Sequence, residues 1–348
     1  MNDDREITPA FVQRLLRARY PDVAVIGVEL VSAHDGSASR VRLRITYVAG
    51  ADCGLPADMF LKRNLAVFNF PSEMYSTEVR IYRDVLPGLG LEQPTVFAIE
   101  SGDDDVRFNI LMEDLGTRPG ARLGIVTDTT TIEEVSGLLD SMAQLHAQFW
   151  ANDSLENLTW LAPAPQHAAM LFWRQHGPRL ARRHMEAGHR APLVDRDVWT
   201  DDVLWDAFDR MLDCLDSGPH TLLHGDVHAG NVYYVDGNRG GLIDWQLSLR
   251  GCWALDFAYL MITALDPEQQ ATHEAPLLRR YLAALADRGV EPPPFDQAWL
   301  LYRQHVIYGV AMWLITPDGV HTDEAQIGYL GRCLAAAHRL DSLKALGL

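Results

Sequence analysis

Two hydrophobic periods divide this chain, and the point where one replaces the other constrains its fold more than any other feature. Between Val23 and Gly116, apolar residues are β-branched or alternate in five short runs: "VAVIGVELVSA", "SRVRLRITYVA", "ADMFLKRNLA", "PTVFAIESG" and "RFNILMEDLG". Turn-formers such as "HDGS", "AGADCG" and "SGDDD" separate them, so each reads as a strand. Before the first run, Thr8 can cap a helix that starts at Pro9 and carries Phe11, Val12, Leu15 and Leu16 on one face. Between the third and fourth runs, "PSEMYSTEVRIYRDVLPGLG" predicts a single helix with Met74, Val79, Ile81, Tyr82 and Val85 inward, stopped by Pro87 and Gly88.

From about Thr131 the period lengthens. "TIEEVSGLLDSMAQLHAQFW" opens with the capping box Thr131-x-x-Glu134 and repeats apolar residues at Ile132, Val135, Leu138, Leu139, Met142, Leu145 and Phe149. Further helices are predicted in "MLFWRQHGPRLARRHMEAG", "DDVLWDAFDRMLDCLD", "WALDFAYLMITAL", "EAPLLRRYLAALADRG", "FDQAWLLYRQHVIYGVAMWLI" and "EAQIGYLGRCLAAAHRL". One β-like stretch interrupts them: "LLHGDVHAGNVYY" with "GLIDWQLSL" after it, read as a short hairpin. The pattern is α+β, with a small, mostly β N-lobe over residues 1–114 and a larger, mostly helical C-lobe over 115–348. A cleft between such lobes is the natural place for a ligand.

Composition narrows the partners. A net charge of −17 leaves no basic stripe for nucleic acid or an anionic membrane. No apolar run approaches the roughly 18 residues of a membrane span, and "MNDDREITPA" has no secretory pattern, so a soluble, cytoplasmic protein is expected. Cys53, Cys214, Cys252 and Cys333 stand singly, as thiols do in a reducing compartment. The helix acids Asp201, Asp202, Asp206 and Asp209 could meet a cationic acceptor, but they also fit a solvated helix face, which is the simpler reading.

The chemistry concentrates in the hairpin. Moving a phosphoryl group requires divalent metal held by hard oxygen donors and a carboxylate to take the acceptor's proton. In "HGDVHAGN", Asp226 precedes Asn231 by five positions, the interval between base and metal-binding amide in a kinase catalytic loop. Thirteen residues further on, "LIDW" places Asp244 at the end of an apolar strand. Two other readings use the same residues: a transition-metal cluster at His224, Asp226 and His228 serving a hydrolase, and a nucleotide-binding pseudokinase without turnover. No further His or Cys constellation accompanies the cluster, and Ser248 lacks the nucleophile-elbow glycines.

"HGDVHAGN" followed by "LIDWQLSLRGCWALDFAYL" resembles the catalytic and metal-binding motifs of the aminoglycoside phosphotransferase and choline-kinase-like families, the ecdysteroid-kinase-like branch in particular. The resemblance covers about residues 20 to 262 and implies a protein-kinase-like two-lobe fold. It implies an ATP- and Mg2+-dependent transfer to a small-molecule hydroxyl, with Asp226 as base and Asn231 and Asp244 as metal ligands. His224, His228 and Asp256 become supports of the loop. "MFLKRN" and "STEVRIYRDVLP" make Lys62 the phosphate-gripping lysine and Glu78, in competition with Glu73, the carboxylate that orients it. "ILMEDLG" implies a hinge whose backbone at Glu113 to Leu115 meets the base of the nucleotide. "LHAQFW" also matches, with His146 near the support of the site but outside the catalytic set. One departure is clear: "AHDGSASR" has only Gly36 where a glycine-rich loop is usual, so Ser37 and Ser39 would contact phosphate instead. The C-terminal helices carry no family motif, and Trp299 and Trp313 are expected as walls of the acceptor pocket, with Trp173 and Trp205 in the core or lining a groove.

Overall fold

The alternating runs form one antiparallel sheet in a computed structural model, which describes residues 7–35, 38–64, 70–127, 130–236 and 239–348. The chain divides into two compact units at Arg122/Leu123.

In the first unit, β1 (Val25–Asp35), β2 (Ser39–Tyr47), β3 (Asp58–Arg63), β4 (Val96–Ser101) and β5 (Phe108–Glu113) lie in the order β1-β2-β3-β5-β4. Lys62 in β3 stands opposite Arg40 on β2 and Ile110 on β5, at the middle of the sheet. Helix α1 (Pro9–Arg17) covers one face: its Phe11, Val12, Leu15 and Leu16 pack with Val41, Leu43, Met59, Leu61 and Leu111. Each fully buried aliphatic side chain there contributes about 1.5–3 kcal/mol. Thr8 accepts a hydrogen bond from Phe11 N at 3.2 Å, the cap that its sequence position predicts.

The helix between β3 and β4 is not uniform. It runs as α2 (Ser72–Arg80), then widens into a π turn over Ile81–Val85, with Leu86 N bonded to Ile81 O at 3.0 Å. The wider turn carries Ile81, Tyr82 and Val85 inward, the face expected of them, while its hydrogen bonding departs from the uniform helix that the sequence predicts. A short strand, β6 (Ala121–Leu123), marks the junction of the units.

The second unit is helical around one strand cluster. It contains α3 (Ile132–Gln148), α4 (Asp153–Glu156), α5 (Ala168–Glu186) and α6 (Asp201–Leu215), then β7 (Thr221–Leu223), β8 (Val232–Val235), β9 (Arg239–Leu242) and β10 (Leu249–Gly251). The chain ends with α7 (Ala254–Ala264), α8 (Pro267–Ala286), α9 (Phe295–Ile315), α10 (Asp323–Arg339) and α11 (Ser342–Ala345). The Thr131–Glu134 capping box closes in both directions at the start of α3. Helix α9 is buried on all sides from His305 to Ile315, and α7, α10, α6 and α5 pack around it. Helix α8 starts seven residues before the sequence period shows it, because Asp266 caps a first turn that is polar.

The predicted hairpin is in fact two strand pairs. Strand β7 pairs with β10, Leu223 opposite Leu249, and β8 pairs with β9, Val232 opposite Leu242. The loops 224–231 and 243–248, which connect one pair to the other, therefore run side by side. Ile243 N bonds Asn231 O across them at 3.0 Å.

Candidate active site

Gly225 makes this neighbourhood possible. Its φ is +80°, and a Cβ there would stand 2.2 Å from Leu247 O in the adjacent loop. Asp226 follows and is largely buried, with its Oδ2 accepting a 2.9 Å bond from Asn231 Nδ2. The same amide nitrogen donates to Asp226 O at 3.0 Å. With its NH2 group so committed, Asn231 keeps Oδ1 as its acceptor atom.

His224 ties the two loops together. Its Nδ1 accepts from Asp226 N at 3.2 Å, and its Nε2 donates to Ile243 O at 3.0 Å, next to Asp244. Asp244 itself adopts a left-handed conformation with φ +67°, which an aspartate tolerates better than most residues. His228 Nδ1 accepts from Gly230 N at 3.0 Å, so its ring proton lies on Nε2, 3.9 Å from Asp226 Oδ2. Burial, and secondarily the neighbouring His321, push the His228 pKa down to about 3. That ring is neutral throughout the physiological range. Both histidines thus spend ring nitrogens on backbone. Among the described residues no group of three or more His, Cys, Asp or Glu could hold a metal ion, so the histidine-metal reading loses its basis.

Asp256, in the first turn of α7, braces the loop from behind. Its Oδ2 accepts from His224 N at 2.8 Å, and its Oδ1 accepts from Gly225 N at 2.9 Å. His146 Nε2 lies 3.2 Å from the same Oδ2, and His146 Nδ1 meets Tyr281 Oη at 2.5 Å. All are buried. From α9, Tyr308 Oη donates to Gly225 O at 2.9 Å.

An aromatic shell encloses His228: Tyr259, Trp313, His321 and Tyr329 meet its ring edge-on at 5.5–6.0 Å. Trp313 stacks on Tyr329 at 4.0 Å. Trp299 does not belong to this shell. It lies fourteen residues earlier on α9, about 21 Å along the axis, packed between Phe295 and Tyr302. The expectation that both tryptophans wall one pocket fails because they occupy opposite ends of one helix. Trp173 sits edge-on to Tyr308 and Trp205 to Phe208, both as core packing. Asp201, Asp206 and Asp209 pair with Arg182, Arg210 and Arg174 on the helix surface, in keeping with a solvated face. Sequence reading missed Tyr308 and the buried Arg190, which holds Trp313 O at 2.8 Å and Thr316 O at 2.7 Å at the end of α9. The available signal was a tyrosine tip in a helix apolar all round, which must find a partner.

The first unit holds the other predicted group. Lys62 Nζ and Glu78 Oε1 are 2.6 Å apart, with side chains 6 % and 1 % exposed, while Glu73 is on the surface. Ser39 is buried as the first residue of β2, opposite Asp35 and Arg63. Gly36 and Ser37 lie outside the described residues. Glu113 closes β5: its N–H bonds Thr95 O at 2.8 Å and its Oε2 accepts from Thr95 N at 3.1 Å. The turn after it is fixed by Asp114, which accepts from Gly116 N at 2.9 Å and from Arg42 Nε at 2.7 Å, and Leu115 is buried.

A model of the phosphotransferase enzyme family matches residues 35–292. The chain belongs to that family. It is accordingly a small-molecule kinase, with a hydroxyl group as acceptor. No curated protein matches the chain. Solved structures similar to this phosphotransferase include an ethanolamine kinase from Plasmodium vivax, 13 % identical with a TM-score of 0.57 over 94 % of this chain and 85 % of that one. A spectinomycin phosphotransferase in complex with ADP and spectinomycin is also 13 % identical, with a TM-score of 0.57 over 97 % and 99 %. A macrolide 2'-phosphotransferase from Brachybacterium faecium is 19 % identical, with a TM-score of 0.51 over 96 % and 98 %. Likeness at these identities is likeness of fold: a protein-kinase-like arrangement of a small antiparallel sheet and a larger helical part. No helix among the described residues is long and apolar enough to cross a membrane.

Proposed function

We propose that this phosphotransferase moves the γ-phosphoryl group of ATP to a hydroxyl of a small molecule, with Asp226 as the base. The observation that carries this reading is the bond of 2.9 Å between Asn231 Nδ2 and Asp226 Oδ2, in a loop whose backbone is fixed by Asp256. A carboxylate so oriented can accept the acceptor's hydroxyl proton as the phosphoryl group leaves ADP.

Asn231 Oδ1 and the Asp244 carboxylate are hard oxygen donors suited to Mg2+. When bound there, the ion neutralises charge on the transferred phosphate oxygens. In the first unit, assigned here as a nucleotide-binding lobe over residues 1–114, Glu78 holds the Lys62 ammonium for the α and β phosphates. The backbone from Glu113 to Leu115 serves the base of the nucleotide, and Ser37 and Ser39 stand for the missing glycine-rich loop. His224, His228 and Asp256 bind no substrate; they keep Asp226 and Asp244 in register. A neutral His228 withholds positive charge from the base.

The acceptor belongs with the part of the second unit that carries the aromatic shell. Structural neighbours act on ethanolamine, spectinomycin and macrolides, so a suitable panel contains those three, choline, kanamycin, sugars, and hydroxylated steroids and lipids. The test is nucleotide consumption with Mg2+ across that panel, with Asp226→Ala as control. Turnover stimulated by one acceptor and abolished in the variant supports the reading. If no acceptor stimulates turnover and Asp226→Ala hydrolyses ATP as fast as the parent, the protein is not this kinase. Asp244→Ala should lose Mg2+-dependent nucleotide affinity; undiminished affinity counts against the metal assignment.

A further inference from the structure

We infer that Tyr308 is a positioning residue for the reaction, holding the Gly225–Asp226 peptide in the one orientation that aims the Asp226 carboxylate. The inference rests on the reading of Asp226 as the base.

The carbonyl of Gly225 and the N–H of Asp226 are the two ends of a single peptide group. The carbonyl end accepts from Tyr308 Oη at 2.9 Å, and the N–H end donates to His224 Nδ1 at 3.2 Å. The peptide before it is fixed separately, by Asp256 Oδ1 on Gly225 N at 2.9 Å. Gly225 lies between the two with φ +80°. A glycine passes between backbone regions at little cost, so rotation of its following peptide is the cheapest way for this loop to rearrange. Such a rotation changes φ of Asp226 and so can turn its carboxylate away from Asn231.

Two groups oppose the rotation, and they are not equivalent. His224 belongs to the loop and moves with it. Tyr308 stands on α9, 83 residues further along the chain, and supplies a reference external to the loop. Its ring is held edge-on to Tyr259 at 5.0 Å and to Trp173 at 6.3 Å, and it is fully buried. Burial, with Asp226 as the next cause, holds its hydroxyl well above the ordinary tyrosine range. Tyr308 therefore remains a protonated donor and exchanges no proton in the reaction. Tyr308→Phe keeps the packing and removes only the hydroxyl, leaving the Gly225 carbonyl without that donor.

The experiment compares parent, Tyr308→Phe, Asp226→Asn and the double variant, with MgATP and either water or the best panel member as acceptor. Misaiming by about 1 Å costs on the order of 100-fold in rate, so Tyr308→Phe should lower kcat roughly 10- to 100-fold and leave the KM for MgATP within about two-fold. In the Asp226→Asn background there is no base left to aim, and Tyr308→Phe should change kcat by less than about two-fold. In the ligand-free protein, hydrogen exchange of residues 224–227 should rise while that of α9 stays at the parental level. A purely structural role gives another pattern: a lower unfolding midpoint, parental kcat per folded molecule, and the same small factor in both backgrounds. That pattern overturns the inference, as does unchanged exchange at 224–227. If Asp226→Asn is inactive and Tyr308→Phe has parental kcat, this inference alone fails. If Asp226→Asn keeps parental kcat, the base assignment fails and takes this inference with it.

Discussion

Replacing Asp256 by asparagine tests the loop's support with almost no change in volume. The carboxylate accepts from two buried backbone N–H groups, His224 N at 2.8 Å and Gly225 N at 2.9 Å, and sits 3.2 Å from His146 Nε2. An asparagine offers one oxygen and one NH2. Placed toward His146, its NH2 can donate to the ring once that tautomer changes, but it then faces the His224 N–H. Placed the other way, it faces the Gly225 N–H. Either rotamer leaves one backbone donor unmatched and removes the charge from the bonds that remain. Hydrogen bonds to a charged group are worth about 1.5–3 kcal/mol, and an orphaned buried donor costs about 1–3 kcal/mol. Asp256→Asn should therefore cost about 2–4 kcal/mol, and Asp256→Ala, which orphans both donors, about 4–6 kcal/mol. For a unit of this size that corresponds to a midpoint roughly 5–12 °C lower for the asparagine variant. Thermal unfolding followed by circular dichroism gives the midpoint, and turnover of the folded fraction at 20 °C gives kcat, which should fall at least about ten-fold. An asparagine variant with both parental midpoint and parental kcat would show that Asp256 does not hold the loop.

The Lys62–Glu78 pair predicts an unusual pattern of variants. Removing either partner alone takes this counter-charge from a buried group and should cost about 3–5 kcal/mol, while Lys62→Met with Glu78→Leu together should recover most of the stability but not nucleotide affinity; a double variant no more stable than the singles contradicts this in a thermal-shift assay. Burial holds His228 at a pKa of about 3 and His305 at about 4, below the unfolded value of about 6.5, so both bind protons only on unfolding as pH falls below that value. Stability should drop by about 2 kcal/mol for each of these two histidines between pH 7 and 5, and His305→Leu should remove its own share of the fall; urea midpoints that do not change across this window refute the assignment. Gly225→Ala and Gly319→Ala both force a side chain into the left-handed region, at φ +80° and +86°, but only at Gly225 does the new Cβ meet a backbone oxygen. Gly319→Ala should cost about 1–2 kcal/mol and Gly225→Ala clearly more, and equal chemical-denaturation curves would remove the argument for glycine in this loop.

What the sequence makes legible is what neighbours in the chain decide. The five strands, the helix after the third and both ends of α9 follow from local period and the turn-formers that bound it, because the residues that determine them lie within a few positions of one another. The Asp226–Asn231 interval is local in the same sense, and the two side chains do meet. The π turn after Arg80 escapes because Ile81, Tyr82 and Val85 fit an α face equally well, so the apolar period does not register the change in hydrogen bonding. The β7–β10 pairing escapes because strands of three residues carry almost no alternation, and the pairing joins positions 26 residues apart, as Leu223 and Leu249 are. His146 and Asp256, 110 positions apart, meet through packing alone. Trp299 and Trp313 share a helix and a residue type, and only the helix rise separates their surroundings.

The imidazole of His224 has a consequence for how this site can change over time. One rigid ring joins Asp226 N to Ile243 O, so its width sets the spacing between the loop that carries the base and the loop that carries Asp244. A longer, jointed side chain could reach both atoms but would let the gap vary. The two loops are therefore inherited as one part: grafting either into a related scaffold without its partner would import a gauge with nothing to measure against.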